Sequence, residues 1–533
     1  MKQQAYNPFL PLWEYVPDGE PHVFGDRIYL FGSHDMPGGE RYCAAGNYVG
    51  WSAPLEDLSD WRYEGVIYEA KDDPRVQGDL TDLYAPDVVQ GNDGKYYLYY
   101  NVSGAIGADD HNTPLGVAVC DTPAGRYKYL GFVRNPDGSP FLKYLTADPA
   151  VINDDGVIRL YYGWALSMVA AGAHAGAAQG GAGEAGKGHS GQAGGSAPDM
   201  EALRKMPKDQ LRGFLLGVEQ MLFHRTKEQL TRDPEDVMGA NHVILDDDML
   251  TVRSEPTRIV PSQFMAFGTS FEGHGFYEAS SIRKINDIYY FIYSDENSNM
   301  LSYATSKYPD RDFVYRGILQ SNGDVGLNGR KGEDRLNMTA NNHGSLEQVK
   351  DQWYIFYHRQ THNSTYSRQA CAEPVTIGED GSIAQAECTS CGLNGGPLRA
   401  EGTYSAGIAC NLTNGHMPHA TNRVVNADIP YITHEGEGQI ITNIKKGTMI
   451  GFKYFAFRGS YMLRVVTRGG GCGEFTVRAG DQTVGVIPVA PSDSWRESET
   501  VSLKAVGTLP LTFTYSGSGS TEMKEFTMET KAK

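Results

Sequence analysis

Short runs of alternating apolar and polar residues, bounded by Gly, Asp or Asn, recur along the first 395 residues of the chain. Five of these runs are rich in aromatic residues, and each is typical of one arm of a β-hairpin. They are centred on Tyr29, Tyr97, Tyr161, Tyr290 and Tyr354. The first three lie roughly 65 residues apart, as do the last two. Repeated β-units of this kind stack radially, so the pattern predicts a five-bladed β-propeller.

The interval between the third and fourth runs is about twice as long, which indicates an insertion over residues 166–240. Residues 169–197 are rich in Gly, Ala and Ser and cannot bury a core, so we expect them to be disordered. Residues 199–232 place apolar side chains at helical spacing. We expect a surface helix that caps the propeller, with a lid over the functional site as the alternative.

The pattern changes near residue 430, where short alternating strands with Gly-rich turns begin. Strands at this spacing are typical of a β-sandwich. The sequence therefore predicts an all-β protein with a propeller at 1–395, a linker or packing segment at 396–430 and a sandwich at 431–533.

The amino-acid composition limits the classes of molecule that the protein is expected to bind. The formal net charge of -18 disfavours nucleic acid and anionic membranes, and no run approaches the roughly 20 apolar residues that span a bilayer. The N-terminal residues contain no apolar signal core, which predicts a cytoplasmic protein, or a secreted one if a leader has been removed. The seven Cys are scattered, and the one close pair, Cys388 and Cys391, could form half a zinc site or a redox motif; the absence of a second pair favours reduced, structural thiols.

Acidic residues recur in phase with the repeats, near the start of successive predicted blades. They are Asp18 with Glu20, Asp87, Asp148 and Glu278. Carboxylates that share an axial pocket repel one another, which raises some pKa values and leaves other groups ionised. Glycoside hydrolysis needs such a pair, a protonated acid and a carboxylate that activates water. Any one of these acids could instead cap a turn, but four in phase favour a functional site.

The segments that carry these acids resemble glycoside hydrolase family 43, whose members have a five-bladed propeller. V-P-D-G-E-P-H-V-F places the implied general base at Asp18, with Glu20 as a minority candidate. A-D-P-A-V-I-N-D-D-G implies that Asp148 orients the general acid and tunes its pKa. Glu278, six residues before Lys284, is the implied general acid, although Ala-Ser follows it where many relatives have Gly-Pro.

The resemblance implies further roles at three positions. Asp87 in Y-A-P-D-V is similar to a substrate-side or packing residue. His343 in N-N-H-G-S resembles a channel His that helps to hold an optional structural calcium ion through water, or else a core His. Arg368 resembles an Arg that binds the sugar, with a salt-bridged structural Arg as an equal alternative.

The C-terminal sandwich resembles a family 6 type carbohydrate-binding module, with Trp495 and Tyr461 as candidate stacking residues, or a packing domain without sugar affinity.

The resemblance implies an inverting hydrolase with no required cofactor that removes L-arabinofuranosyl residues from arabinose- or xylose-containing oligosaccharides or polysaccharides of plant type. Inversion requires the two catalytic carboxyl groups to lie roughly 6.5–9.5 Å apart, because a water must fit between them. The alternatives are a β-xylosidase or an arabinanase of the same family and, from another class, a non-catalytic sugar-binding propeller.

Overall fold

A computed structural model describes residues 3–78, 81–103, 113–168, 200–222, 236–420, 425 and 427–531. These residues form five small antiparallel sheets and one large C-terminal sheet. The predicted all-β class with five propeller blades is confirmed. By their internal contacts the residues divide into two compact units, one of Met1–Val66 with Ile318–Lys533 and the other of Ile67–Gly317.

Each blade is a meander of neighbouring strands, four in the first four blades and three in the fifth. The first blade contains β1 (Glu20–Phe24), β2 (Arg27–Phe31), β3 (Asn47–Pro54) and β4 (Arg62–Glu69). The second contains β5 (Asp87–Gln90), β6 (Tyr96–Tyr100), β7 (Gly116–Cys120) and β8 (Lys128–Phe132). The third contains β9 (Ala150–Asp154), β10 (Val157–Trp164), β11 (Gly239–Leu245) and β12 (Thr257–Pro261). The fourth contains β13 (Phe276–Ile285), β14 (Ile288–Asp295), β15 (Met300–Ser306) and β16 (Val314–Ser321). The fifth contains β17 (Leu346–Val349), β18 (Gln352–Gln360) and β19 (Arg368–Val375).

The five aromatic runs found in the sequence are the second strands of the five blades. These strands are β2, β6, β10, β14 and β18, and each is hydrogen-bonded on both sides. Strands with neighbours on both edges and sheets on both faces are buried, which favours Tyr, Phe and Ile side chains. Tyr161 and Tyr290, for example, are 0% and 1% exposed.

Two helices follow the third blade's second strand, α1 (Met200–Arg204) and α2 (Lys208–Leu222). Pro207 separates them, since it cannot donate the backbone hydrogen bond that a continuous helix needs. Leu203, Leu211 and Leu215 are buried in the same core as strands of the third and fourth blades. The segment predicted as one helix therefore forms two helices over 200–222, whereas its last ten residues and the Gly/Ala tract lie outside the described residues.

Polar side chains tie the third and fourth blades to each other within the second unit. Lys284 Nζ lies 2.7 Å from Asp154 Oδ1 and 3.0 Å from Asp155 Oδ2. Tyr289 donates its hydroxyl to Asp154 Oδ2 at 2.7 Å. Lys284 and Tyr289, which follow Glu278 in the sequence, thus attach the fourth blade to the third.

The large sheet wraps one hydrophobic core that includes Phe452, Phe455, Phe513 and Phe526. Its long strands are β25 (Met449–Gly469), β29 (Val501–Ser518) and β30 (Thr521–Thr530). The others are β20 (Leu398–Arg399), β21 (Gly402–Ser405), β22 (Asn411–Thr413), β23 (Tyr431–Glu435), β24 (Gly438–Ile444), β26 (Cys472–Ala479), β27 (Gln482–Val489) and β28 (Ser492–Glu497). Short 3₁₀ turns occur at Ala70–Asp72, Leu327–Gly329, Gly332–Asp334, Gly392–Asn394 and Ala406–Ile408.

Residues 396–430, expected to be a linker or packing segment, contribute strands to this sheet. β20 and β22 pair with β25, and β21 pairs with β30. These strands are two to four residues long, too short to show an alternating pattern in the sequence. Within the residues that the structure describes, no helix is long and apolar enough to cross a bilayer.

Candidate active site

The predicted acids stand at the first strands of their blades. Asp18 precedes β1, Asp87 begins β5, Asp148 precedes β9 and Glu278 lies within β13. They form two groups, Asp18 in the unit Met1–Val66 with Ile318–Lys533, and the other three in Ile67–Gly317. The phase of acids and repeats in the sequence therefore reflects one structural position used in successive blades.

Glu278 lies at an irregularity in β13. The register between β13 and β14 shifts on both sides of Glu278, which faces Ser294. The next residue, Ala279, has a φ of 68°. A left-handed residue in a strand bends it and re-aims the neighbouring side chain, and such bulges are enriched beside active sites. For Ala this conformation costs about 1–2 kcal/mol, so the surrounding contacts must hold it.

One of those contacts comes from Asp148. The backbone N–H of Ala279 donates to Asp148 Oδ2 at 2.8 Å. Asp148 is itself left-handed, with a φ of 44°, and its backbone N–H donates to Asn101 Oδ1 at 3.1 Å. Asn101 in turn donates to Thr146 O at 2.8 Å. A chain of hydrogen bonds thus runs from the second blade through Asp148 to the residue after Glu278.

Both carboxylate oxygens of Asp87 accept hydrogen bonds from backbone N–H groups. Oδ1 accepts from Val88 N and Oδ2 accepts from Val151 N, both at 2.7 Å. The side chain is 0% exposed and so connects β5 of the second blade with β9 of the third. Of the two roles that the sequence left open, this geometry favours packing.

Asp18 lies at the centre of a buried polar cluster in the other unit. Its Oδ1 lies 2.8 Å from Arg368 Nη1, 3.4 Å from His358 Nδ1 and 3.9 Å from His343 Nδ1. The residue is 4% exposed and left-handed, with a φ of 57°. Glu20, the minority candidate, is 1% exposed at the start of β1.

Burial alone would raise the pKa of the Asp18 carboxyl. The Arg368 guanidinium, a hydrogen bond with His358 and the charges of His343 and His358 outweigh burial, and they hold this pKa well below its usual range. Asp18 is therefore an anion at neutral pH, the state in which a carboxylate can accept a proton from water.

The guanidinium of Arg368 donates hydrogen bonds to two aspartates. Its Nη1 donates to Asp18, while Nε and Nη2 donate to Asp35 at 2.8 and 3.0 Å. The side chain is 1% exposed, and Tyr42 stacks on the guanidinium at 4.6 Å. This arrangement corresponds to the salt-bridged structural Arg, whereas a role in sugar binding stays a prediction.

Sequence reasoning missed His358 and Asp35. His358 is 0% exposed, and its Nε2 lies 2.9 Å from the Asn341 carbonyl oxygen. Its Nδ1 lies 3.4 Å from the backbone nitrogen of Asp18 and 3.4 Å from Asp18 Oδ1, so the imidazole contacts both groups. Two features of the sequence could have indicated them. His358 lies within an aromatic run predicted to be a strand, and Asp35 ends the motif G-S-H-D directly after the first such run.

His343 lies beside this cluster, 5% exposed. Gly344 holds it close to the fifth blade, because a Cβ there would lie 1.8 Å from Phe356 O. Calcium takes six to eight oxygen ligands, but Asp18, the described carboxylate near His343, already pairs with Arg368. The described surroundings therefore do not fit direct calcium coordination, and an ion held through water stays a prediction.

Neither candidate stacking residue of the C-terminal sheet offers a bare ring. Tyr461 is 3% exposed in the core. Trp495 donates its indole N–H to Glu435 Oε2 at 2.7 Å, and Arg468 covers its ring at 4.2 Å. The resemblance of this region to a family 6 type binding module is not confirmed.

Comparison with known proteins covers the whole chain. A xylosidase/arabinosidase of Thermoclostridium stercorarium is 39% identical over 543 residues, which span 99% of both chains. A β-xylosidase of Xylanibacter ruminicola is 26% identical over 65% of this chain and 88% of its own. Xylosidase/arabinosidase 43A of Humicola insolens is 27% identical over 64% of this chain and 88% of its own.

The family described as Glycosyl hydrolases family 43 matches residues 26–175 and 223–383, which is more than half of the chain. The unmatched residues between these segments fall within the insertion predicted from the sequence. The chain therefore belongs to glycosyl hydrolase family 43 and is a glycoside hydrolase.

Proposed function

We propose that this glycoside hydrolase removes terminal α-L-arabinofuranosyl residues from plant-type oligosaccharides or polysaccharides in a single displacement with inversion. Asp18 takes a proton from the attacking water, Glu278 donates one to the leaving oxygen, and Asp148 positions Glu278. No cofactor takes part in these steps.

The observation that carries the proposal is the hydrogen bond from Ala279 N to Asp148 Oδ2. It joins Asp148 to the backbone of the residue directly after Glu278 and restrains the backbone there. An anion in this position also favours the protonated form of a neighbouring carboxyl group, because two negative charges repel. A general acid must keep its proton near neutral pH, so both effects support the assigned roles.

The buried anion supports the role of Asp18. A base must be ionised over the working pH range, and the ion pair with Arg368 keeps Asp18 in that state. Buried ion pairs also fix a side chain in one orientation, which keeps the reacting oxygen in place.

Cleavage of β-D-xylosyl groups is the second candidate. The relative that matches 99% of the chain is named a xylosidase/arabinosidase, a name that covers both sugars. Terminal arabinofuranose and xylopyranose present similar hydroxyl groups to a pocket, so one site can accept either. Arabinanase action on an internal bond would instead release oligosaccharides.

A panel of nitrophenyl α-L-arabinofuranoside, β-D-xyloside and β-D-galactofuranoside tests the proposal, with arabinan as the polymer substrate. We expect the arabinofuranoside to give the highest kcat/KM and arabinan to release only monosaccharide. D18N and E278Q should each reduce turnover roughly 100- to 10,000-fold, whereas E20Q, the matched control for the base, should retain it. Absence of turnover on the arabinofuranoside and on arabinan would overturn the proposed specificity.

The calcium prediction has its own test. If an ion held through water near His343 matters, EDTA should lower the melting temperature and added Ca²⁺ should restore it in the wild type but not in H343A. Equal melting curves with and without EDTA would contradict it.

A further inference from the structure

Two histidine side chains face each other at a position that no assigned role explains. His362 lies in the loop 361–367 between β18 and β19, and His434 lies in β23. Nε2 of His362 and Nδ1 of His434 are 3.2 Å apart. Both residues belong to the same compact unit and both are partly exposed. Two imidazoles thus present nitrogen atoms to a gap that solvent can enter.

The backbone fixes the position of His362 relative to β23. The N–H of His362 donates to Ile432 O at 2.8 Å, two residues before His434. His362 and Asn363 are both left-handed, with φ of 57° and 51°. Such a conformation is strained for residues other than Gly, and strained residues cluster at ligand sites and active sites. The contact between the two rings is therefore built into the backbone.

Each ring also has a hydrogen-bond partner away from the gap. His434 Nε2 lies 3.1 Å from the Leu12 carbonyl oxygen, which can only accept, so the neutral ring carries its hydrogen on Nε2 and a lone pair on Nδ1. His362 Nδ1 lies 2.8 Å from Thr361 Oγ1, which donates its own hydrogen to Ser367 O at 3.0 Å. Thr361 Oγ1 can thus accept from Nδ1–H, which leaves the lone pair of His362 on Nε2. Imidazoles that bind metal ions nearly always donate their second N–H to an oxygen acceptor such as a backbone carbonyl.

The separation of the two nitrogens fits a shared metal ion. Two nitrogens that are each about 2.0–2.1 Å from Zn²⁺ at a tetrahedral angle lie about 3.3–3.4 Å apart. The observed 3.2 Å agrees with this spacing to within roughly 0.2 Å. Imidazole nitrogen is a preferred ligand of Zn²⁺, Cu²⁺ and Ni²⁺, whereas Ca²⁺ and Mg²⁺ prefer oxygen.

Tyr15 closes the inner side of this pair. Its hydroxyl oxygen lies 3.5 Å from Nδ1 of His362 and 3.5 Å from Nδ1 of His434, and it accepts from Gln439 Nε2 at 3.0 Å. Burial raises the pKa of Tyr15 to about 12, so the phenol stays protonated near neutral pH and is a poor ligand. The two imidazoles are therefore the ligands that this pocket offers, and water can reach them from the exposed side.

We propose that His362 and His434 together bind one divalent transition-metal ion that prefers nitrogen, such as Zn²⁺, with water as the remaining ligands. The ion joins the loop 361–367 to β23. Because this loop leads directly into Arg368, the partner of Asp18, the ion also restrains the segment that carries Arg368. The alternative occupant of the gap is a proton, shared between the rings as an ordinary hydrogen bond.

Isothermal titration of the full chain with ZnCl₂ near neutral pH, after EDTA treatment and dialysis, tests the site. The dialysed protein is the metal-free reference, in which the two imidazoles titrate as free side chains. We expect saturable binding, with H362Q and H434Q each weakening the affinity roughly 100-fold or more, because loss of an outer partner alone costs about 10- to 100-fold. H416Q, which removes an exposed His between β22 and β23, should bind like the wild type. Cu²⁺ in place of Zn²⁺ should show nitrogen hyperfine coupling from two imidazoles in its electron paramagnetic resonance spectrum.

Unchanged Zn²⁺ affinity in both variants would overturn the proposal, since the ion would then lie elsewhere. Absence of saturable binding to the wild type would also overturn it and would assign the contact to a shared proton. Displacement of Zn²⁺ by CaCl₂ would contradict the preference for nitrogen. Melting curves of the metal-free variants show whether the fold persists; if H362Q does not fold, H434Q, a change on a partly exposed strand, decides the outcome.

Discussion

The hydrogen bond between Asp148 and the backbone after Glu278 gives the sharpest quantitative prediction. D148A removes the acceptor of Ala279 N, which the carboxylate holds at 2.8 Å. A hydrogen bond to a charged group contributes about 1.5–3 kcal/mol. If this contribution is made in the transition state, its loss lowers kcat roughly 10- to 150-fold.

The variant D148N keeps a hydrogen-bond acceptor at this position but removes the negative charge. The amide keeps an oxygen in reach of Ala279 N, but a neutral hydrogen bond contributes only about 0.5–1.5 kcal/mol. We therefore expect a kcat between those of D148A and the wild type. D121A, a change to an exposed aspartate of the second blade, should leave kcat unaltered.

Two readouts distinguish positioning of the general acid from a general loss of structure. Removing the anion lowers the pKa of a neighbouring acid, so the alkaline limb of the kcat profile should move to lower pH in both Asp148 variants. A dinitrophenyl glycoside needs little proton donation, because its leaving group is already a weak base. The defect of D148A should then shrink towards unity on that substrate.

A kcat for D148A within two-fold of the wild type would refute the reasoning. So would an equal defect on nitrophenyl and dinitrophenyl substrates, because loss of acid assistance cannot produce it. A defect confined to KM would assign Asp148 to substrate binding instead.

Three further predictions concern stability. R368M should destabilise the fold by about 3–5 kcal/mol in urea, because it leaves the Asp18 anion buried without its partner; a change below 1 kcal/mol would contradict the pairing. Burial and the neighbouring His434 lower the pKa of His362 to about 4. Between pH 4 and 6.5 the unfolded chain therefore binds more protons than the folded one, and stability should fall as the pH is lowered from 6.5 to 4. H362Q should flatten this dependence, and an unchanged slope would exclude His362 as its source. Burial raises the pKa of Glu373 to about 8, so the folded state holds a proton that the unfolded chain releases and stability should decline from about pH 4.3 to 8; E373Q should abolish that decline, and an identical decline would refute it.

Much of the propeller could be predicted from the sequence. The second strand of every blade is buried on both faces, so its aromatic residues stand out against the flanking turns. The positions of Asp18, Asp148 and Glu278 followed because each stands at the same place in its own repeat. A feature repeated at a fixed interval needs no knowledge of long-range contacts.

The contacts around the acids could not be predicted in the same way. Asp18 pairs with Arg368, 350 positions along the chain, and Asp148 with Ala279, 131 positions away. No local pattern encodes such distances. The three-residue strand Asn411–Thr413 was missed for a different reason, since three residues cannot show a period of two.

The stereochemistry of the reaction tests the central claim most directly. Proton NMR of the first minutes of hydrolysis, on the nitrophenyl glycoside cleaved fastest, identifies the anomer before mutarotation mixes the two forms. Water activated by Asp18 in a single displacement must release the inverted sugar first, which for an α-L-arabinofuranoside is the β-anomer. Release of the α-anomer first would mean a covalent intermediate and would contradict the assignment of Asp18 as a general base.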